Sequence, residues 1–317
     1  MSVPLDRPSR RAVLAAGAGS LLTGACTSGA GKTGRTGESQ GDAAHRDGAH
    51  GEDIAGPMRR LEREHSARAG VFAYNTRTRR TLAHRADERF PLCSTWKPLA
   101  AAALLKDRRR GGGDVLSERI RYSRTDLEEH SPVTGDRRNL SDGMTVRQLC
   151  DAAIRYSDNT AANLLLRELG GPEAITRFCR SLGDEVTRLD RWETELNSAE
   201  PGRARDTTSP RALARTYMRL TLGDALGRAE RGELTDWLKR NTTGDKGLRA
   251  GLPEGWTVAE KTGSGAYGTN NDVGVAWTAR DQEPVVLAVF TTKTTADAEP
   301  DYPLIAETAR LLAPLLA

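Results

Sequence analysis

Pro91-Leu92-Cys93-Ser94-Thr95-Trp96-Lys97-Pro98-Leu99-Ala100 sets a serine three positions ahead of a lysine, in an otherwise uncharged segment that runs into Ala and Leu. On one helical turn positions i and i+3 share a face, so the lysine nitrogen can reach the serine hydroxyl. S-x-x-K alone is a loose pattern, and its weight comes from the rest of the chain. If Ser94 does chemistry, its base is something other than histidine. Past the N-terminal tail only His65, His84 and His130 occur, and no H-x-H or H-E-x-x-H pattern is present.

The 317 residues suffice for a substantial core in one large domain or two lobes. Lys+Arg number 47 and Asp+Glu 43, a formal charge of +4, all of it outside residues 1–55. There is no basic block or aromatic-interleaved stripe, so nucleic acid is not an expected partner. A small anionic substrate fits the mild excess better.

Ser9-Arg10-Arg11-Ala12-Val13-Leu14 is a twin-arginine pattern, followed through Ala25 by a short stretch rich in Ala, Gly and Leu. It is too short to span a bilayer and reads as an export signal over 1–26. Cys26, after a small residue, invites a lipid anchor, with ordinary cleavage near Ala25 as the rival. Residues 27–53 lack periodicity and read as a solvated linker. The expected location is therefore extracytoplasmic or secreted, by the twin-arginine route, with Cys26 as the one possible membrane tether. Cys93, Cys150 and Cys179 remain, an odd number without C-x-x-C, so neither a metal site nor a disulfide framework is expected.

Apolar periodicity predicts a helix from Ile54 to about Ala67, strands at Val71–Asn75 and Thr81–His84, and helices at Pro98–Lys106, Thr145–Tyr156, Thr160–Glu168, Pro172–Leu182 and Ser209–Leu222. Ser209-Pro210 is a serine cap with proline at the first helical position. Strands follow at Val258–Thr262, Val273–Thr278 and Val285–Thr291, then a helix from about Pro303. Strands at both ends with helices between predict an α+β fold: one antiparallel sheet assembled from the termini, flanked by helices, with an inserted all-α lobe. A cleft between the lobes is where a site belongs.

Three further stretches bear on Ser94. Tyr156-Ser157-Asp158-Asn159 joins two predicted helices, where short polar side chains also serve as caps. Lys261-Thr262-Gly263-Ser264-Gly265 ends a predicted strand. Arg191 to Asp206 lacks periodicity yet carries Trp192 and Leu196, the mark of a compact Ω-loop. S-x-x-K, S-D-N and K-T-G in this order, with that loop, resemble the class A serine β-lactamases. Ser131-Pro132-Val133-Thr134, Asp142-Gly143-Met144-Thr145, Thr160 through Leu166 and Asn241-Thr242-Thr243-Gly244 are also similar to family stretches. The resemblance covers residues 54–317, and implies a five-stranded sheet lobe of 54–90 and 238–317 with a helical lobe of 91–237.

It also implies an enzyme that opens the β-lactam amide of penicillins and cephalosporins through an acyl-serine, giving resistance to those drugs, with no cofactor and no metal. Ser94 would be the nucleophile and Ser157 the proton donor to the leaving nitrogen. Lys97, or Glu193 through a water, would be the acylation base, and Glu193 with Asn197 would hold the water that clears the ester. The backbone N–H groups of Ser94 and Ser264 would form the oxyanion hole. Asn159 would bond the substrate's side-chain amide, while Lys261, Thr262, Gly263 and Ser264 would form the wall that holds its carboxylate. Arg191 and Asp206 would staple the loop, and the Glu193–Thr194 bond would be cis.

The sequence also departs from the family. Its carboxylate-binding arginine is replaced by Gly247 or Asn270 at the two usual places, leaving Lys246 or Arg249 as substitutes. His130 stands where an aromatic gatekeeper is usual, and Ala101 removes the partner of Cys150, so no disulfide is expected. A transpeptidase or D,D-carboxypeptidase, or a penicillin sensor that acylates and stops, shares the three motifs but lacks Glu193 and its loop. A monomer is the expected state.

Overall fold

Val285-Val286-Leu287-Ala288-Val289-Phe290 is apolar at every position, the pattern of a strand covered on both faces. It lies at the centre of a five-stranded antiparallel sheet, in a computed structural model that describes residues 54–108, 113–280 and 283–316. The proposed signal and linker, with Cys26, lie outside the described residues.

The chain opens with α1 (Ala55–Glu64), β1 (Arg68–Asn75) and β2 (Thr81–His84), then a two-residue strand β3 (Phe90–Pro91). A 3₁₀ turn, Cys93–Trp96, feeds α2 (Lys97–Lys106). Beyond it come β4 (Arg119–Ile120), α3 (Arg137–Asp142), β5 (Met144–Thr145), α4 (Val146–Arg155), α5 (Asn159–Leu169) and α6 (Glu173–Ser181). After β6 (Thr207–Thr208) follow α7 (Pro210–Thr221), α8 (Arg228–Lys239) and α9 (Leu248–Gly251). Strands β7 (Thr257–Gly265), β8 (Thr269–Trp277) and β9 (Pro284–Thr292) and helix α10 (Tyr302–Leu316) complete it.

The sheet order is β2-β1-β9-β8-β7, so the first and last strands of the chain pair at its centre. Side chains of β9 alternate between two cores. Val285, Leu287 and Val289 pack with Met58 of α1 and Leu304 and Leu312 of α10. Val286, Ala288 and Phe290 join Leu213 and Tyr217 of α7 and the Ala/Leu run of α2. Each fully buried Leu or Phe contributes about 1.5–3 kcal/mol relative to exposure, which fixes the strand register. Strand β7 is left at an edge, beside the turn that carries Ser94.

The α+β architecture and the major elements match expectation, including the Ser209 cap, whose hydroxyl accepts from Ala212 N at 3.3 Å. Boundaries differ where polarity misleads. Strand β8 begins at Thr269 rather than Val273, because Asn270, Asn271 and Asp272 are buried polar residues inside the sheet. Strand β7 runs through Gly265, so Lys261-Thr262-Gly263 lies within it rather than at its end. Helix α8 was not anticipated: among its charges only Leu234, Trp237 and Leu238 turn inward.

Candidate active site

Ser94 sits on the second residue of the 3₁₀ turn, largely buried, with Cys93 before it held at φ 43°. Strand β7 crosses so closely that a Cβ on Gly263 would lie 2.9 Å from Ser94 N and 3.1 Å from Leu92 O. Only glycine permits that approach, which sets the strand edge against the serine. Lys97, the first residue of α2, is fully buried. Its Nζ donates to Ser157 O at 2.7 Å and Asn159 Oδ1 at 2.6 Å, and stands 3.4 Å from both Ser157 Oγ and Glu193 Oε1. No hydrogen bond joins it to Ser94 Oγ. The expected amine–hydroxyl contact is replaced by bonds to a carbonyl, an amide oxygen and a carboxylate, all stronger acceptors. Burial lowers the pKa of Lys97, against the opposing pull of the Glu193 charge.

Ser157, Asp158 and Asn159 turn between α4 and α5. Ser157 adopts φ 56°, and its Oγ accepts from Lys261 Nζ at 3.1 Å. Asp158, given no role from sequence, is fully buried and accepts from Val133 N, Thr134 N, Thr134 Oγ1 and Ala161 N at 2.8 to 3.0 Å. It caps α5 and pins the facing loop to the serine. Asn159 Nδ2 donates to Glu129 O at 2.8 Å, so both ends of its amide are engaged. Lys261 also donates to Thr262 O at 2.8 Å, and burial and the Lys97 charge push its pKa down to about 7.

The stretch from Arg191 to Asp206 is an ordered loop. Leu196 is its buried anchor, while Trp192 is exposed at 37%. Asn163 of α5 clasps Glu193 by its backbone, accepting from Glu193 N at 3.0 Å and donating to Glu193 O at 2.9 Å. The Glu193–Thr194 bond is cis. The Glu193 carboxylate accepts from Trp96 Nε1 at 3.2 Å and Asn197 Nδ2 at 2.6 Å. Asn197 Oδ1 is buried with no partner among the described residues. Trp96 and Asn163 are contributors that sequence reasoning missed. Neither residue type at its spacing announces such a contact, although Asn163 lies in a stretch singled out there.

Arg191 Nε donates to Asp206 Oδ2 at 2.6 Å, and Asp206 Oδ1 accepts from Asp190 N and Arg191 N at 2.7 and 3.0 Å. Asp206 is only 1% exposed. Breaking a pair this desolvated costs about 3 kcal/mol or more. Asp206→Asn is expected to lower the unfolding free energy by about that amount, which denaturant unfolding checks.

Thr262 Oγ1 and Thr243 Oγ1 are 2.5 Å apart, and Ser264 Oγ donates to Asn270 Oδ1 at 3.3 Å. Of the two proposed substitute cations, Arg249 is committed elsewhere. It donates to Asn241 O at 2.7 Å and pairs with Glu260 of β7 at 3.0 Å. Lys246 is exposed, and His130 Nε2 donates to Tyr156 O at 3.0 Å. Cys93, Cys150 and Cys179 are free and buried. Among the described residues no group of three or more His, Cys, Asp or Glu is arranged to hold a metal ion, and no helix is long and apolar enough to cross a membrane.

Ser94, Lys97, Ser157, Asn159, Glu193, Asn197 and Lys261 are thus brought together through a chain of contacts, with Thr262, Gly263 and Ser264 on the adjoining strand. A family model described as the beta-lactamase enzyme family matches residues 54–315. A β-lactamase of Streptomyces fradiae is 56% identical over 309 residues, covering 97% of this chain and 96% of the relative. The solved β-lactamase of Streptomyces albus G superposes with a TM-score of 0.81 at 56% identity, covering 83% of this chain and 99% of that one. A class A β-lactamase reconstructed as the last common ancestor of Gram-negative bacteria gives 0.79 at 51% identity, with 83% and 99% covered.

Proposed function

The chain belongs to the class A β-lactamase family and hydrolyses the β-lactam amide, a resistance activity, and on that premise we propose which residues carry each step. Ser94 Oγ attacks the lactam carbonyl carbon, the C–N bond breaks, and an acyl-serine ester forms. The proton leaves Ser94 towards Lys97, or towards Glu193 through a water, and Ser157 delivers a proton to the ring nitrogen. Burial, which lowers the pKa of Lys97, favours the neutral amine able to accept it. Lys261, 3.1 Å from Ser157 Oγ, can replenish the serine.

Oxyanion stabilisation falls to the N–H groups of Ser94 and Ser264. Ala266 N–H leaves the sheet edge to reach Asn197 O at 2.9 Å, and by the two-residue period of a strand Ser264 N–H projects from that same edge. Removing one such donor typically costs about 10²–10³ in rate. Lys261, Thr262 and Ser264 hold the substrate's carboxylate. The role of Asn159 towards the substrate's amide requires it to exchange one of its present bonds.

The observation that carries the reading is the buried Glu193 carboxylate beside the unpartnered Asn197 Oδ1. Two acceptors converging there supply what a water needs in order to be held and deprotonated. Attack by that water on the ester releases the acid and regenerates Ser94. A transpeptidase or penicillin sensor has no such group. Residues 54–317 incubated with a chromogenic cephalosporin are expected to hydrolyse many equivalents at steady state, whereas a single equivalent followed by arrest would refute the reading.

The pH dependence follows from Lys261. With a pKa near 7 it is a cation below that value and neutral above it, so attraction for the substrate's carboxylate is lost as pH rises. The kcat/KM of the native protein is expected to fall as pH rises through about 7. Lys261→Arg, charged throughout, is expected to keep its value to higher pH, and coincident profiles would refute the assignment.

The twin-arginine stretch, linker and Cys26 support export, with release or lipid anchoring at the cell surface, and the enzyme acts as a monomer. Fractionation of cells producing the native protein and a Cys26→Ser variant tests the anchor.

A further inference from the structure

At one end of the sheet Arg68, the first residue of β1, pairs with Thr292, the last of β9, and Pro91 of β3 pairs with Thr207 of β6. Both pairs, together with residues 199–203 on the return limb of the loop, line a cavity of about 650 Å³, a size that suits a small molecule. None of the residues assigned to catalysis lines it. Ala67, Pro91, Ala199 and Pro201 give it an apolar wall. Its two acids are already engaged. Glu62 accepts from Ala69 N at 2.9 Å and Arg85 Nε at 2.8 Å, and Glu200 from Ser198 Oγ at 2.8 Å and Arg191 Nη2 at 3.3 Å.

Its cations are engaged unequally. Arg68 is bound to Glu88 and Lys293 to Asp301, at 2.7 and 2.9 Å. Arg89, among the described residues, gives Nη1 alone, to Val186 O and Thr207 Oγ1 at 3.0 and 3.1 Å, which fixes the side chain and leaves Nε and Nη2 for another acceptor. Arg203 is exposed and forms no ion pair among the described residues. The uncommitted charge beside the apolar wall is therefore positive. A guanidinium already held in place loses little freedom on binding, and its fork matches a carboxylate. We propose that the cavity is a binding site for an amphiphilic carboxylate, an apolar body with one anionic group, held by Arg89 and Arg203. Arg203 lies on the loop and Arg89 just before β3, so the occupant ties the loop's return limb to the body of the protein. Glu200, on the same limb, is bonded to Arg191, and the tie thereby reaches the Arg191–Asp206 staple of the loop that carries Glu193.

The test titrates the isotope-labelled native protein with phenylbutyrate, and with phenylbutanol, which keeps the apolar body and lacks the charge. The acid is expected to shift the amide resonances of Arg68, Arg89, residues 199–203 and Lys293 along one saturation curve. The alcohol is expected to bind about tenfold more weakly, as loss of a charge-assisted bond requires. Arg203→Glu, a change on an exposed side chain, and Arg89→Gln are each expected to weaken the acid about tenfold and to leave the alcohol unchanged. Saturating acid is expected to slow hydrogen exchange at the amides of residues 203–206. Equal binding of acid and alcohol, acid binding that neither substitution weakens, or shifts confined to Ser94, Ser264 and their neighbours would overturn the site. Unchanged exchange in the loop at saturation would overturn its tie to the occupant.

Discussion

Glu193→Gln is expected to acylate and then stall. Turnover of penicillins should fall by about 10²- to 10⁴-fold, the range for loss of a general base, while intact mass shows the opened lactam retained on the protein at Ser94. The reason is local. The carboxylate is almost fully buried, gripped by Trp96 Nε1 and Asn197 Nδ2, with its backbone held at both polar groups by Asn163. An amide of the same shape preserves much of that packing but cannot take a proton from water. Because ester cleavage becomes limiting, KM should fall together with kcat. A variant that folds yet neither stalls nor accumulates the adduct would remove Glu193 from this role.

Lys97→Met is expected to fail one step earlier. It removes the one amine, among the described residues, within hydrogen-bond reach of both Ser157 and Asn159, in a site where burial favours the neutral form. The kcat/KM should fall by about 10²- to 10⁴-fold, with little adduct at times that saturate Ser94 in Glu193→Gln. Rapid-quench mass measurement separates the two variants. Fast adduct formation in Lys97→Met would move the acylation base to Glu193 and its water.

Much of the fold was legible because apolar pattern and burial agree. The run from Val285 to Phe290 reads as a strand and is one, covered on both faces, and the Ala/Leu run after Lys97 reads as a helix and is one, buried. The pattern fails where polar side chains are interior for reasons of pairing. Asn270 to Asp272 hide the first half of β8, and the charges of α8 mask its three inward residues. The motif residues were legible as types at spacings, but their contacts were not. Lys97 turns to Ser157 and Asn159 rather than to Ser94, and Arg249 turns to Asn241 and Glu260. Asp158, Asn163 and Trp96 act on the backbone or carboxylate of residues far away in the chain, and local pattern carries no signal of such pairs.

The most direct measurement of the central claim is a crystal of the native protein frozen during reaction with a slowly cleared β-lactam. The expected result is an ester on Ser94 with a water hydrogen-bonded to both the Glu193 carboxylate and Asn197 Oδ1, facing the ester carbon, and no adduct after a longer soak. A Glu193 side chain turned away from the ester, with the adduct surviving for hours, would contradict it.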